Sequence, residues 1–322
     1  MATPQSKPTA AKKKDRSGKP GGRPPGAPVV KKATARDWIG GARLRTLPLA
    51  IAPVALGAGS AQLMTDHEFH WARILLCLAV ALSLQIAVNY ANDYSDGVRG
   101  TDKHRVGPSR LTGSGAARPR TVLAVSMTFF ALAAIAGIII VVVTGYWWLL
   151  AVGAVSIVAG WFYTGGKRPY GYYALGEVFV FIFFGLVATA GTTFVITGQV
   201  NFESWLTGTA IGLFACGVLM VNNLRDREQD KAAGKRTLAV RIGDRGARIA
   251  FAVLVLLPFV AVALLQVFYP NAGFTYFVLL AIAPAVLITI TGKTPAEFIL
   301  ALQLTSLGAL LYGLLLAWAI AF

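Results

Sequence analysis

Two polar stretches interrupt an otherwise apolar chain: Asn89 to Asp96, reading NYANDYSD, and Asn222 to Asp230, reading NNLRDREQD. In the first, Asn89, Asp93 and Asp96 fall at i, i+4 and i+7, and Asn92 and Asp96 at i, i+4. In the second, Asn222, Asp226 and Asp230 fall at i, i+4 and i+8. On a helix each set forms one polar stripe. Each also closes a long apolar run, and carboxylates beside hydrocarbon are costly unless a cation, a substrate or water compensates them. Mg²⁺ is a hard cation that takes oxygen ligands, usually one or two carboxylates plus substrate phosphates. Asp93, Asp96, Asp102, Asp226 and Asp230 are therefore candidate metal ligands. Two such stripes facing each other would hold Mg²⁺ and, through it, a diphosphate. Asn92 and Asn222 either ligate as neutral oxygens or orient the carboxylates from behind.

A metal on a diphosphate leaving group stabilises the charge that develops as its C–O bond breaks. For an allylic isoprenoid donor the other fragment is a carbocation, which a dry apolar cavity would shield from water. Both stripes open into basic, Gly-containing segments, carrying Arg105 and Arg110 after the first and Lys235 after the second. Such loops suit phosphate oxygens as N–H and cationic donors. A third segment, Tyr163 to Pro169, adds Lys167 and Arg168; anchoring at the membrane surface explains these cations as readily as a site does. Glu177 opens a helix, where the dipole favours a negative charge, and reads as structural.

The elements that position these residues are membrane helices. Hydrophobic residues make up 56% of the chain, and apolar runs of about 20 residues recur from Leu47 onward. Nine are expected, near 46–64, 74–94, 121–144, 147–164, 174–197, 205–224, 248–269, 273–291 and 298–321. Of the 30 Lys and Arg, Arg73 alone falls on the side opposite the tail. The positive-inside rule then places the N-terminus and both stripes on the cytoplasmic side. The expectation is an all-α, multi-pass protein of about nine helices around a central cavity. A Lys-, Gly- and Pro-rich cytoplasmic tail over 1–36 precedes a membrane domain over 37–322. The tail cannot build a core and suits anionic lipid headgroups of the bilayer, not nucleic acid. Gly97 and Gly100 are expected to interrupt the first stripe and turn Asp102 back towards it. Cys77 and Cys216 have no ligand spacing and read as packing residues.

Val88-Asn89 followed by Asp93 recurs as Val221-Asn222 followed by Asp226, as a duplicated helical unit would produce. A cation-coupled transporter would need its polar groups near the bilayer midplane, whereas both stripes lie at helix ends. A scaffold that binds headgroups accounts for the cations but not for five aspartates.

These residues resemble the UbiA superfamily of intramembrane prenyltransferases, whose members carry two Asp-rich motifs on the second and sixth of nine helices. The likeness runs from about residue 36 to the end, through Asn89–Arg110, Tyr163–Lys167 and Asn222–Gly243. It is greatest to the branch that prenylates 1,4-dihydroxy-2-naphthoate in menaquinone biosynthesis in the bacterial cell membrane. By position, Asn92, Asp96 and Asp102 match the first motif, and Asn222, Asp226 and Asp230 the second. Tyr163 and Lys167 match an element placed near the diphosphate. The resemblance implies Mg²⁺ and a polyprenyl diphosphate donor, with loss of diphosphate and CO₂ on transfer to the naphthoate. Asp96, Asp226, Lys167 and Tyr163 are then the catalytic candidates. Asn89, Asn92, Arg105 and Arg110 would bind substrate, together with Asn222, Arg225 and Lys235. Unlike the 4-hydroxybenzoate branch, this chain has Gly100 where that branch has its last Asp, and a Gly-Lys-Arg-Thr-Leu run after the second motif.

Overall fold

The structure, a computed structural model, describes residues 32–65, 67–101 and 110–322. Asp102 and Arg105 lie outside these residues, as do His104 and nearly all of the basic tail.

Helix α1 (Ala35–Gly41) begins with a capping box in which Thr34 accepts from the Asp37 N–H and the Asp37 carboxylate accepts from the Thr34 N–H. The expected boundary at 36 therefore falls inside a helix. After a bend of 46° the chain enters α2 (Pro48–Gln62), with proline at its first position. The bend carries Arg43 in the left-handed region, φ 54°. α3 (Trp71–Arg99), α4 (Pro119–Thr144), α5 (Leu149–Phe162), α6 (Gly176–Thr197) and α7 (Phe202–Arg225) follow. The short α8 (Arg227–Ala232) leads to α9 (Leu238–Leu265), broken near its start at Gly243, and then to α10 (Pro270–Thr291) and α11 (Pro295–Ala321).

Among the described residues, seven helices are long and apolar enough to cross a membrane, and the α1–α2 pair makes an eighth if counted as one bent span. The nine expected runs are thus all helical, but the fourth folds as α5, only 14 residues long. At 1.5 Å per residue that is roughly 21 Å, short of a bilayer core of about 30 Å. The molecule is an all-α, multi-pass membrane protein.

Helix α7 is the buried centre, flanked by α6, α9 and α11, while α3 runs along α4 and α2 along α11. With little hydrophobic drive between helices in lipid, close backbone approach does much of the packing. A Cβ at Gly185 of α6 would fall 2.6 Å from the Gly208 carbonyl of α7. That contact sits in a π-helical stretch, Phe181–Val187, which turns Phe183, Phe184 and Val187 onto a cavity wall. Phe214 and Tyr312 anchor the core with ring centroids 5.1 Å apart.

Candidate functional site

Helix α3 does not break at Gly97. It continues to Arg99 and ends at Gly100, φ 75°. A Cβ at Gly97 would lie 2.5 Å from the Thr112 side chain, so the glycine admits the returning loop instead of interrupting the stripe. Asp93 fastens that loop: its two carboxylate oxygens accept the backbone N–H groups of Leu111 and Thr112, both at 2.8 Å. Expected among the metal ligands, Asp93 is thus committed to loop structure. Asn89 is likewise engaged, its amide donating to the Ala42 carbonyl at 2.9 Å and holding the α1–α2 bend.

Asp96, one turn on, faces the cavity. One of its oxygens accepts from Arg110 at 2.7 Å and Lys235 at 3.3 Å, and the other from the Tyr172 hydroxyl at 2.5 Å. Lys235 also lies 3.5 Å from Asp230, so a single ammonium joins the two motifs. In the second motif, Arg225 grips Asp226 through two hydrogen bonds of 2.7 and 2.6 Å and donates to the Asn222 side-chain amide oxygen at 3.0 Å. Burial pushes the Asp230 carboxyl up to about 6; Asp226 and Asp96 add to the rise and Lys235 opposes it. Crowded carboxylates of this kind call for a cation.

The Tyr163–Tyr173 segment closes the site from the side. Arg99 donates to the carbonyls of Thr164 and Gly166, and the Thr164 hydroxyl donates to Asn92 at 2.6 Å. Tyr163 lines the cavity, but Lys167 is exposed on the turn, outside the lining and without a hydrogen bond or ion pair to the described residues. Expected to be catalytic, it stands on the exposed turn and not in the cavity wall.

Asn92, Asp96, Arg110, Tyr172, Asn222, Asp226, Asp230 and Lys235 all line one end of a cavity of about 790 Å³. The lining runs back along α3 from Asp96 to Val80 and Cys77, roughly 24–28 Å at helical rise. It becomes apolar there, through Leu84, Val88, Ile138, Ile140, Leu149 and Ile157. Among the described residues, no group of three or more His, Cys, Asp or Glu side chains gathers around one point. A cage made wholly of protein is therefore not built from them. Asp96, Asp226 and Asp230 suit an ion that completes its shell with phosphate oxygens.

Several lining residues carried no signal in the sequence. Arg43 reaches the cavity near Tyr163 from its left-handed bend. Tyr163, Tyr170, Phe179 and Phe183 form a run of rings along the wall, with successive centroids 5.6, 4.0 and 6.2 Å apart. Asn223 donates to the buried Glu177 at 3.2 Å, which orients its amide at the cavity. Apart from the Tyr163 element, these groups meet only in three dimensions, and no spacing rule could have joined them.

Residues 50–294 match the model of the UbiA prenyltransferase family. The chain is 45% identical to 1,4-dihydroxy-2-naphthoate octaprenyltransferase of Mycobacterium tuberculosis over 90% of its own length and 98% of that protein's. It is also 45% identical to the protein of the same name from Mycobacterium leprae, over 73% of this chain and 79% of the other. Among solved structures it is similar to a UbiA homolog from Archaeoglobus fulgidus bound to DMAPP and Mg²⁺. That likeness has a TM-score of 0.59 at 16% identity and covers 87% of this chain and 99% of the other, so it bears on fold alone. The matched span contains both aspartate motifs and most of the residues that line the cavity between them, and the chain belongs to the UbiA prenyltransferase family.

Proposed function

We propose that the protein transfers a polyprenyl group from polyprenyl diphosphate to 1,4-dihydroxy-2-naphthoate, releasing diphosphate and CO₂ and giving a demethylmenaquinol. One observation carries the reading: both aspartate motifs, joined through Lys235, share the mouth of a single long cavity that is apolar beyond it. Anionic headgroup at one end and hydrocarbon at the other is the chemistry of a prenyl diphosphate. The names of the two mycobacterial relatives supply the acceptor.

Asp96, Asp226 and Asp230 would hold Mg²⁺, with Asp102 a further ligand by motif. When bound, the ion neutralises the diphosphate and stabilises the charge left on it as the C–O bond breaks. Arg110, Arg225 and Lys235 supply cationic donors to phosphate oxygens. The bond's electron pair leaves with the diphosphate, and the allylic fragment passes along the Tyr163–Phe183 rings, whose faces attract a cation. The ring carbon bearing the carboxylate forms the new C–C bond, and CO₂ departs from it. Counted from the acceptor carboxylate, the exchange releases no net proton. Tyr163 and Asn223 offer hydrogen bonds to a ring hydroxyl, and Arg43 offers a charge to the carboxylate. With the basic loops inside, the mouth opens towards the cytoplasm.

The test is to supply purified protein with Mg²⁺, a polyprenyl diphosphate, and either 1,4-dihydroxy-2-naphthoate or 4-hydroxybenzoate, and to weigh the products. The reading requires prenylated, decarboxylated naphthohydroquinone and loss of turnover in excess chelator. Preference for 4-hydroxybenzoate would overturn the acceptor assignment, and full turnover under chelation would overturn the metal.

A further inference from the structure

Lys235 occupies the place a divalent ion would be drawn to. Its ammonium lies 3.3 Å from Asp96 and 3.5 Å from Asp230, between carboxylates of the two motifs. Arg110 and the Tyr172 hydroxyl cover the rest of the Asp96 carboxylate. A metal arriving alone would have to displace a charge already matched to its ligands, with nowhere favourable for that charge to go.

The backbone around Lys235 is pinned. Its N–H donates to the Asp230 carbonyl at 2.8 Å, and the next N–H, of Arg236, donates to the Tyr172 carbonyl at 2.8 Å. Movement is therefore left to the flexible four-carbon side chain. Beneath that side chain lies the Tyr172 ring, with the ammonium 4.7 Å from its centroid. Tyr172 is held in turn by its bond to Asp96 and by Arg99, whose guanidinium carbon is 5.4 Å from the ring. One turn residue thus touches the first motif through its hydroxyl, Lys235 through its ring and the second loop through its carbonyl.

We propose that Lys235 is an exchangeable counter-ion, resting on Asp96 and Asp230 until a diphosphate offers it a new partner, and that Tyr172 is the positioning residue that guides it. Rested on the metal–diphosphate reading of the mouth, this makes binding of the two ligands interdependent. Diphosphate draws Lys235 off the carboxylates and opens them to the metal, while the ring keeps the ammonium within reach of the phosphate oxygens. The same lysine therefore opposes metal binding when diphosphate is absent and assists it when diphosphate is present.

The test uses the purified full-length protein in lipid nanodiscs, with Mn²⁺ as the metal probe read by electron paramagnetic resonance and inorganic diphosphate as the second ligand. Wild type should bind Mn²⁺ weakly alone and at least about tenfold more tightly with diphosphate. Lys235→Met should tighten Mn²⁺ binding without diphosphate by about fivefold or more, and lose most of the diphosphate enhancement. Lys235→Arg, which keeps the charge, should behave like wild type. Tyr172→Phe keeps the ring and should preserve the enhancement within about twofold, whereas Tyr172→Leu should reduce it about fivefold, within the range expected of a cation–π contact. Unchanged or weakened binding of Mn²⁺ alone in Lys235→Met would overturn the exchange. Equal behaviour of the Phe and Leu variants would overturn the guiding role of Tyr172. If wild type binds no Mn²⁺ even with diphosphate, the metal–diphosphate reading fails, and this inference fails with it.

Discussion

Asp96 is held by residues 14, 76 and 139 positions away in the chain, whereas Asp226 is gripped by the residue immediately before it. The two motifs look alike in sequence because each is a polar stripe ending an apolar helix. Their described environments differ: Asp96 accepts from Arg110, Tyr172 and Lys235 on three other segments, whereas Arg225 of the same helix grips Asp226. Geometry at Asp96 is thus a product of tertiary structure, whereas the Arg225 grip on Asp226 is local to its helix. Loss of either carboxylate should damage the chemistry, and loss of the first should also loosen the mouth, because Arg110 and Tyr172 are tied to it.

The largest expected effect tests that contrast directly. Asp96→Asn and Asp226→Asn should each lower turnover by about 100-fold or more, since each removes a charge proposed to face the metal and diphosphate. Limited proteolysis of the segments around the mouth separates them. Asp96→Asn should speed cleavage near Arg110 and Tyr172, both of which bind that carboxylate, and Asp226→Asn should speed it less there. Equal protection in both variants would erase the distinction, and near-normal turnover in both would remove the stripes from the chemistry.

A second, smaller effect concerns the far side of the mouth. Arg43→Gln should raise the acceptor's KM while leaving the donor's KM within about twofold. A charged hydrogen bond in a partly dry site contributes about 1.5–3 kcal/mol, roughly a tenfold to hundredfold change. Steady-state kinetics with each substrate varied in turn decides it. A rise confined to the donor would move Arg43 to the diphosphate and leave the carboxylate to another residue.

Smaller again is the effect of widening the loop that Asp93 fastens. Gly97→Val would drive a side chain into Thr112, where a Cβ alone already falls 2.5 Å from its neighbour. Both N–H bonds to Asp93 should lengthen as the loop backs away, and turnover should drop several-fold because Arg110 moves with it. Gly97→Ala should do the same in milder form. A wild-type rate in Gly97→Val would show that Arg110 does not depend on this anchor.

How far the sequence carried the reading follows the same local-versus-distant division. Apolar runs of spanning length fixed the helices, and i, i+4 spacing found Asp96, Asp226 and Asp230, because both are properties of neighbours along one helix. The stripe pattern could not separate Asp93 from Asp96, since a one-turn step says nothing of which loop returns to which carboxylate. Tyr172 carried no signal, because its meaning comes from partners in the α3 and α7 regions that meet it only when the chain is folded. Arg43 carried no signal either, because it reaches the cavity from a bend with a left-handed backbone that no spacing pattern marks. Lys167 shows the converse: a cation in a motif-like turn that the fold leaves exposed. Even α5 was legible as an apolar run but not as a helix of only 14 residues.

The smallest expected effect lies at the chain's start, where the boundary between tail and domain can be moved residue by residue. Deleting residues 1–31 should leave turnover within about twofold, because that segment carries Lys, Gly and Pro without an apolar pattern or motif. Extending the deletion through Gly41 removes α1 and changes the outcome. The buried Tyr90 hydroxyl donates to the Trp38 carbonyl at 2.5 Å and would lose its partner, at a cost of about 1–3 kcal/mol. Gly40 and Gly41 also line the cavity mouth, which would open to water on that side. Turnover should then fall about tenfold or more while the longer helices still insert. If both deletions behave alike, α1 is no part of the catalytic body and the anchoring of its end by Asn89 serves packing alone. If the shorter deletion already abolishes turnover in correctly inserted protein, the basic segment holds a functional element of its own.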